Sequence, residues 1–175
     1  MDKVIIATDS SAYLPQEYVD RYNIPVLPLT LNWDGQSYRD GVDIRATEFY
    51  TRLSKSATIP TTSQVTVQQF LDLFTPLLES GHKVIYTGIS LGISATYNSA
   101  VIAKEQLGNP ENLEIIESKL VSSALSFLVL ALARASEEGA SMKDLLELAP
   151  QVYPKIGVYF TVDTLEYLHK GGRIN

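Results

Sequence analysis

The chain has 175 residues, 45% of them hydrophobic and 19% charged, with a net charge of −6 and no cysteine. That length supports one domain with a substantial core. The acidic balance, with no basic run, argues against nucleic acid or an anionic membrane surface as a partner, and the lack of cysteine excludes disulfides, thiolate nucleophiles and zinc-thiolate sites. The start, Met1-Asp2-Lys3 and then the short apolar run Val4 to Ala7, lacks the length and flanks of a signal peptide, which points to a cytoplasmic protein. Val4 to Thr8 reads as a buried strand running into a turn at Asp9-Ser10-Ser11.

Pro15 to Arg21 can open a short helix. Ile24 to Trp33 reads as a strand, Asp34-Gly35 as a turn, Ser37 to Val42 as an extended piece and Thr47 to Leu53 as a helical stretch. Thr66 to Leu78 is a clearer helix, with Thr66 and Gln69 at capping-box spacing and Val67, Phe70, Leu71, Phe74, Leu77 and Leu78 on one face. A strand at Val84 to Thr87, a helix at Ser94 to Leu107 and a strand at Leu113 to Glu117 follow. Leu120 to Glu138 is a long apolar helix. Its apolar part, Leu120 to Ala135, falls short of the roughly 18–20 residues of a membrane span, so a core helix is expected and stable membrane insertion is not. Ser141 to Leu148 is a short helix, Ile156 to Val162 a strand, and Asp163 to Lys170 a helix ended by Gly171. The alternation predicts an α/β fold, a parallel sheet flanked by helices, with ligands outside the carboxyl ends of its strands. The closing Gly171-Gly172-Arg173-Ile174-Asn175 reads as a turn leading onward, so residues 1–175 are expected to be part of a longer protein.

Two loops could carry chemistry. Thr87 to Ser94 joins a strand to a helix, and its two glycines let backbone N–H groups approach an anion. Ser94 either caps its own helix or helps to hold that anion. Pro60-Thr61-Thr62-Ser63-Gln64 presents consecutive hydroxyls before the next helix, as turn chemistry or as a second wall of the site. Asp9-Ser10-Ser11 offers an Asx-turn or a ligand contact. Gly88-x-Ser90-x-Gly92 also matches the nucleophile elbow of serine esterases, but only His169 follows Ser90 in the chain and no route to it is evident. Asp40 and Asp43 form a carboxylate pair or a solvated turn. There is no P-loop for ATP and no dinucleotide fingerprint, and two histidines without a carboxylate cluster give no metal site.

Thr8-Asp9-Ser10, Pro28-Leu29, Tyr38 to Asp43, Pro60 to Gln64, Ser94-Ala95-Thr96-Tyr97, Val162 to Leu168 and Gly171 to Ile174 together resemble the DegV family, in its order and across the whole chain. The resemblance implies the N-terminal lobe of a two-lobed fold, 1–175 being a DegV-type domain that stops before the second lobe is complete. It implies a bacterial, non-enzymatic protein without cofactor that binds a long-chain fatty acid. Its partner would be an ATP-dependent fatty-acid kinase that makes an acyl phosphate for phospholipid synthesis. The family's carboxylate-binding positions fall on Thr62, by its hydroxyl, and on Ser94, by hydroxyl and amide, with Ala95, Thr61 and Ser63 as secondary candidates. Two departures stand out: the family usually has glycine at Ala95, and aspartate followed by glycine-rich residues around Glu117-Ser118 and Ser122-Ser123-Ala124.

Overall fold

The computed structural model describes residues 3–159, 161–172 and 174. In chain order its strands are β1 (Val4–Asp9), β2 (Val26–Leu27), β3 (Thr30–Trp33), β4 (Gln36–Arg39), β5 (Thr61–Ser63), β6 (Lys83–Gly88) and β7 (Leu113–Glu117). The helices are α1 (Gln16–Tyr22), α2 (Ala46–Leu53), α3 (Val67–Glu79), α4 (Thr96–Gln106), α5 (Ser122–Glu137), α6 (Met142–Val152) and α7 (Glu166–Lys170).

The apolar runs become a parallel sheet ordered β2-β1-β6-β7. Because successive side chains point to opposite faces, β1 sends Val4 and Ile6 to one side and Ala7 to the other, and β6 sends Ile85 to the first side and Val84 and Tyr86 to the second. The first face packs under α1, α5 and α6, with Leu125, Leu128 and Leu145 buried there. The second packs under α3 and α4, with Phe70, Phe74, Ala100 and Ala103. Covering both faces is what makes these strands continuously apolar rather than alternating. The register runs from Val4 opposite Lys83 and from Val84 opposite Leu113 to Gly88 opposite Glu117. The carboxyl ends of β1, β6 and β7 therefore finish side by side. Among the described residues no helix is long and apolar enough to cross a membrane; α5 is a core helix.

A second, antiparallel sheet ordered β4-β3-β5 stands apart from the strand-helix alternation. Ile24 to Trp33 is not one strand. Pro28, which has no N–H to give a ladder, divides it, and the Leu29 N–H donates to Ser10 Oγ at 3.1 Å. Upstream, β2 joins the parallel sheet; downstream, β3 joins the small one. The hydroxyl run Thr61–Ser63 is a strand rather than a loop, paired with β3 so that Leu31 faces Thr62. Asp34 and Gly35 both take positive φ, 52° and 75°, as a tight hairpin requires.

Four further expectations change. α4 begins at Thr96, with Ala95 in the cap position, because Ser90 to Ser94 folds into turns of its own. Ile156 to Val162 forms no strand among its described residues, and Tyr159 is 99% exposed. Phe160 lies outside the described residues. α7 begins at Glu166 rather than Asp163, and the Glu166 N–H donates to the Thr164 hydroxyl at 3.2 Å. α6 runs on through Pro150 to Val152, past the expected stop at Leu148.

Candidate functional site

Gly88 ends β6 in close contact with its neighbours, and there the site begins. Asp9, fully buried at the end of β1, accepts from Tyr86 Oη at 2.7 Å and from the Ile89 N–H at 2.9 Å through Oδ2. Its Oδ1 accepts from the Ser11 N–H at 3.0 Å and from the Ser11 hydroxyl. Asp9 thus makes the Asx-turn and also ties β1 to the loop after β6. Burial first, and the Asp9 charge next, hold the Tyr86 phenol well above its ordinary pKa, so it remains a neutral donor.

From Ile89 onward each loop amide has an acceptor inside the protein. Ile89 gives to Asp9, Ser90 to the Leu120 carbonyl, Leu91 to the Glu117 carboxylate and Gly92 to Ser90 Oγ. Ile93 and Ser94 both give to the Ser90 carbonyl. Thr96, at the helix start, gives to Ser94 Oγ at 3.3 Å. Among the described residues the Ala95 N–H has no acceptor. The expected Ser94 amide is therefore occupied, and of the two pocket-lining residues at this helix start, Ser94 and Ala95, it is Ala95 whose amide has no acceptor among the described residues.

The second wall is pinned to the first. Thr96 Oγ1 accepts from the Val65 N–H at 3.3 Å and pairs with Ser94 Oγ at 2.9 Å, and Gln64 Nε2 donates to Ser99 Oγ at 3.0 Å. Sequence reasoning did not assign these joints, though a run of buried hydroxyls at a helix start (Thr96, Ser99) is their signal. Within β5, Ser63 Oγ accepts from Asn32 Nδ2 at 2.9 Å on one face of the small sheet. Thr61, opposite Asn32, shares that face, whereas Thr62 lies across from Leu31 on the face of Phe49 and Leu53.

Between the two walls lies a pocket of about 900 Å³. Thr61, Thr62, Ser63, Ser94 and Ala95 all line it, so the structure brings the two regions together. Its apolar lining comes from Leu29, Phe49, Leu53, Ile59, Ile89 and Ile93, with Leu168 from α7. Lys170 also reaches the lining, but its ammonium is paired with Glu166, whose carboxyl that contact holds below its usual pKa.

The other candidates resolve differently. Ser90 Oγ donates to Glu117 at 3.2 Å and accepts from Gly92, and among the described residues no histidine bonds to it. His82 stands before the opposite end of β6. Asp40 accepts from Ser10 Oγ at 2.7 Å while Asp43 pairs with Arg39, so the two carboxylates serve separate partners. Among the described residues no group of acidic and histidine side chains is disposed to hold a metal.

The model of the DegV family, a family of uncharacterised proteins, matches residues 3–175. DegV domain-containing proteins of Caldanaerobacter subterraneus subsp. tengcongensis and Clostridium acetobutylicum are each 38% identical over 100% of this chain, which spans 62% of the length of each. Among solved structures, a fatty-acid-binding DegV family protein from Thermus thermophilus superposes with a TM-score of 0.86 at 30% identity, over 98% of this chain and 60% of that one. A stearic acid-binding protein from Eubacterium ventriosum does so with a TM-score of 0.85 at 32% identity, over 98% and 60%.

Proposed function

We propose, from the premise that this chain belongs to the DegV family, that its pocket binds a long-chain fatty acid by the carboxylate. The observation that carries this reading is the mixed lining of the pocket: Leu29, Phe49, Leu53, Ile89 and Ile93 stand beside the hydroxyl residues Thr62 and Ser94 and beside Ala95, whose amide has no acceptor among the described residues. The fatty-acid-binding relatives of the same fold support it.

The energetics fit such a ligand. Each buried methylene contributes about 0.8 kcal/mol, so a palmitoyl-length tail could supply on the order of 10 kcal/mol. Hydrogen bonds to a charged group add about 1.5–3 kcal/mol each. The tail provides affinity, and the hydroxyls and amide fix the position of the head. Thr62 is the β5 hydroxyl best placed for this, since Ser63 is engaged by Asn32 and Thr61 shares the Asn32 face. Ala95 contributes its N–H, which has no acceptor among the described residues.

We read the role as presentation. A separate ATP-dependent fatty-acid kinase would transfer the phosphoryl group to the exposed carboxylate, giving an acyl phosphate for phospholipid synthesis in the bacterial cytoplasm. Positioning is then the whole contribution of this protein, which performs no catalysis of its own. The lobe read here would be completed by a second one that adds a further contact to the head group.

Mass spectrometry of lipid released from the full-length purified protein tests the reading, with a fatty acid as the expected species. Thr62→Ala and Ser94→Ala should each weaken fatty-acid binding by about tenfold, the equivalent of one hydrogen bond to a charge, without changing the circular dichroism spectrum. A lipid-free protein that binds no added fatty acid would refute it.

A further inference from the structure

Ser90 is the pivot of the loop that carries the head-group contacts. Its carbonyl accepts from the Ile93 and Ser94 amides at 2.9 and 3.0 Å, and its hydroxyl accepts from the Gly92 amide at 3.2 Å. What holds the pivot is Glu117, the last residue of β7. Its carboxylate accepts from Ser90 Oγ at 3.2 Å, from the Leu91 N–H at 3.2 Å with both oxygens, and from the Lys119 N–H at 3.1 Å. Asp9 fixes the root of the same loop through Ile89. Two carboxylates, on the strands that flank β6, thus consume amides that could otherwise have turned toward an anion.

We infer that Glu117, acting through Ser90, is a positioning residue that sets where the Ser94 hydroxyl and the Ala95 amide meet the ligand carboxylate. Glu117 is not among the residues that line this pocket, so its effect on a ligand there would run through the loop conformation rather than through direct contact. This explains the glycine-serine motif without a nucleophile. Ser90 needs a hydroxyl that can donate to Glu117 and accept from Gly92 at once, and Gly92 keeps the turn short. A carboxylate one methylene longer than aspartate reaches across to Leu91 from the end of β7.

The inference rests on the fatty-acid reading and predicts something that reading does not. If Glu117 positions head-group contacts alone, its loss must weaken ligands with a charged carboxylate far more than those with a neutral hydroxyl on the same tail, because hydrogen bonds to a charge are the stronger ones. Binding of hexadecanoic acid and of hexadecan-1-ol to the full-length protein separates the two. Glu117→Ala should lower affinity for the acid about tenfold, the loss of one well-placed charged hydrogen bond, and leave affinity for the alcohol within about twofold of wild type. Ser90→Ala should do the same, and Glu117→Gln, which retains an acceptor oxygen for Leu91, should recover most of the acid affinity. Equal losses for acid and alcohol, or an unchanged acid-to-alcohol ratio in both alanine variants, would overturn the positioning role while leaving fatty-acid binding in place. Failure of the wild-type protein to bind the acid would instead remove the underlying reading, and this inference with it.

Discussion

A single hydrogen atom at Gly88 lets two buried groups meet. A Cβ added there would stand 2.0 Å from Tyr86 Oη and 2.2 Å from Asp9 Oδ2. Neither atom can retreat freely. The Tyr86 ring is wedged edge-on against Phe70, with centroids 4.8 Å apart, and its hydroxyl is bound to Asp9. Asp9 in turn holds Ser11 and the Ile89 amide. Gly88→Ala must displace the phenol or break its bond to the carboxylate. Overpacking costs about 1–3 kcal/mol, and a buried carboxylate that loses a donor costs about as much again. The variant should melt at least several degrees below wild type, at about 2–4 °C per kcal/mol for a chain of this size, and should lose fatty-acid affinity because the loop root moves. Calorimetry and a binding titration check both; an alanine variant with wild-type melting would show that Tyr86 and Asp9 yield cheaply.

At the level of elements, sequence was informative wherever local chemistry decided the outcome. The Thr66 and Gln69 capping box forms as spaced, and Ser141 caps α6 with Asp144. The strands β1, β6 and β7 were readable because burial on both faces leaves an unbroken apolar run. The small sheet was not: Thr61–Ser63 is polar and exposed, and only its pairing with β3 makes it a strand. The start of α4 differs for a similar reason: the Ser90 carbonyl draws the Ile93 and Ser94 amides into a turn, so the helix begins two residues later, at Thr96, with the Ser94 hydroxyl accepting from the Thr96 amide. Thr62, Ser94 and Ala95 are candidates by family resemblance alone, but the Glu117 anchor depends on a contact distant in sequence. The turn after β4 offers an independent check. Asp43 accepts from the Arg39 guanidinium and from the Arg39 N–H, which lower its pKa from 3.8 to about 2. A depressed carboxyl pKa means that the contact contributes fully above the ordinary carboxylate range and is lost as pH falls through about 2. Carboxyl titration by NMR should place Asp43 there, and Arg39→Ala should return it toward 3.8; an unshifted Asp43 in the wild type would mean that the pair does not persist in solution.

Across the whole molecule, the two walls of the pocket stand on foundations of unequal strength. Ser94 and Ala95 are anchored to β6, which has a helical layer on each face and strands on both sides. Thr62 sits on β5, an edge strand of a short sheet whose core is Leu31, Trp33 and Ile44 with Phe49 and Leu53 against them. Local opening free energy follows buried apolar contact, so the small sheet should open more readily than the parallel one. Among the described residues the polar links between the two regions include Val65 to Thr96, Gln64 to Ser99 and Ser10 to Asp40. A ligand that bonds Thr62 and Ser94 together would add a link across the weaker boundary and shift the opening equilibrium by mass action. Native-state hydrogen exchange should therefore show β3 and β5 amides exchanging through a low-energy local opening while β6 amides exchange only on global unfolding. Saturating hexadecanoic acid should slow β3 and β5 by a larger factor than β6, because β6 gains only the global stabilisation. If β5 and β6 exchange together without ligand, the pocket is one cooperative unit, and the acid would then protect both walls equally.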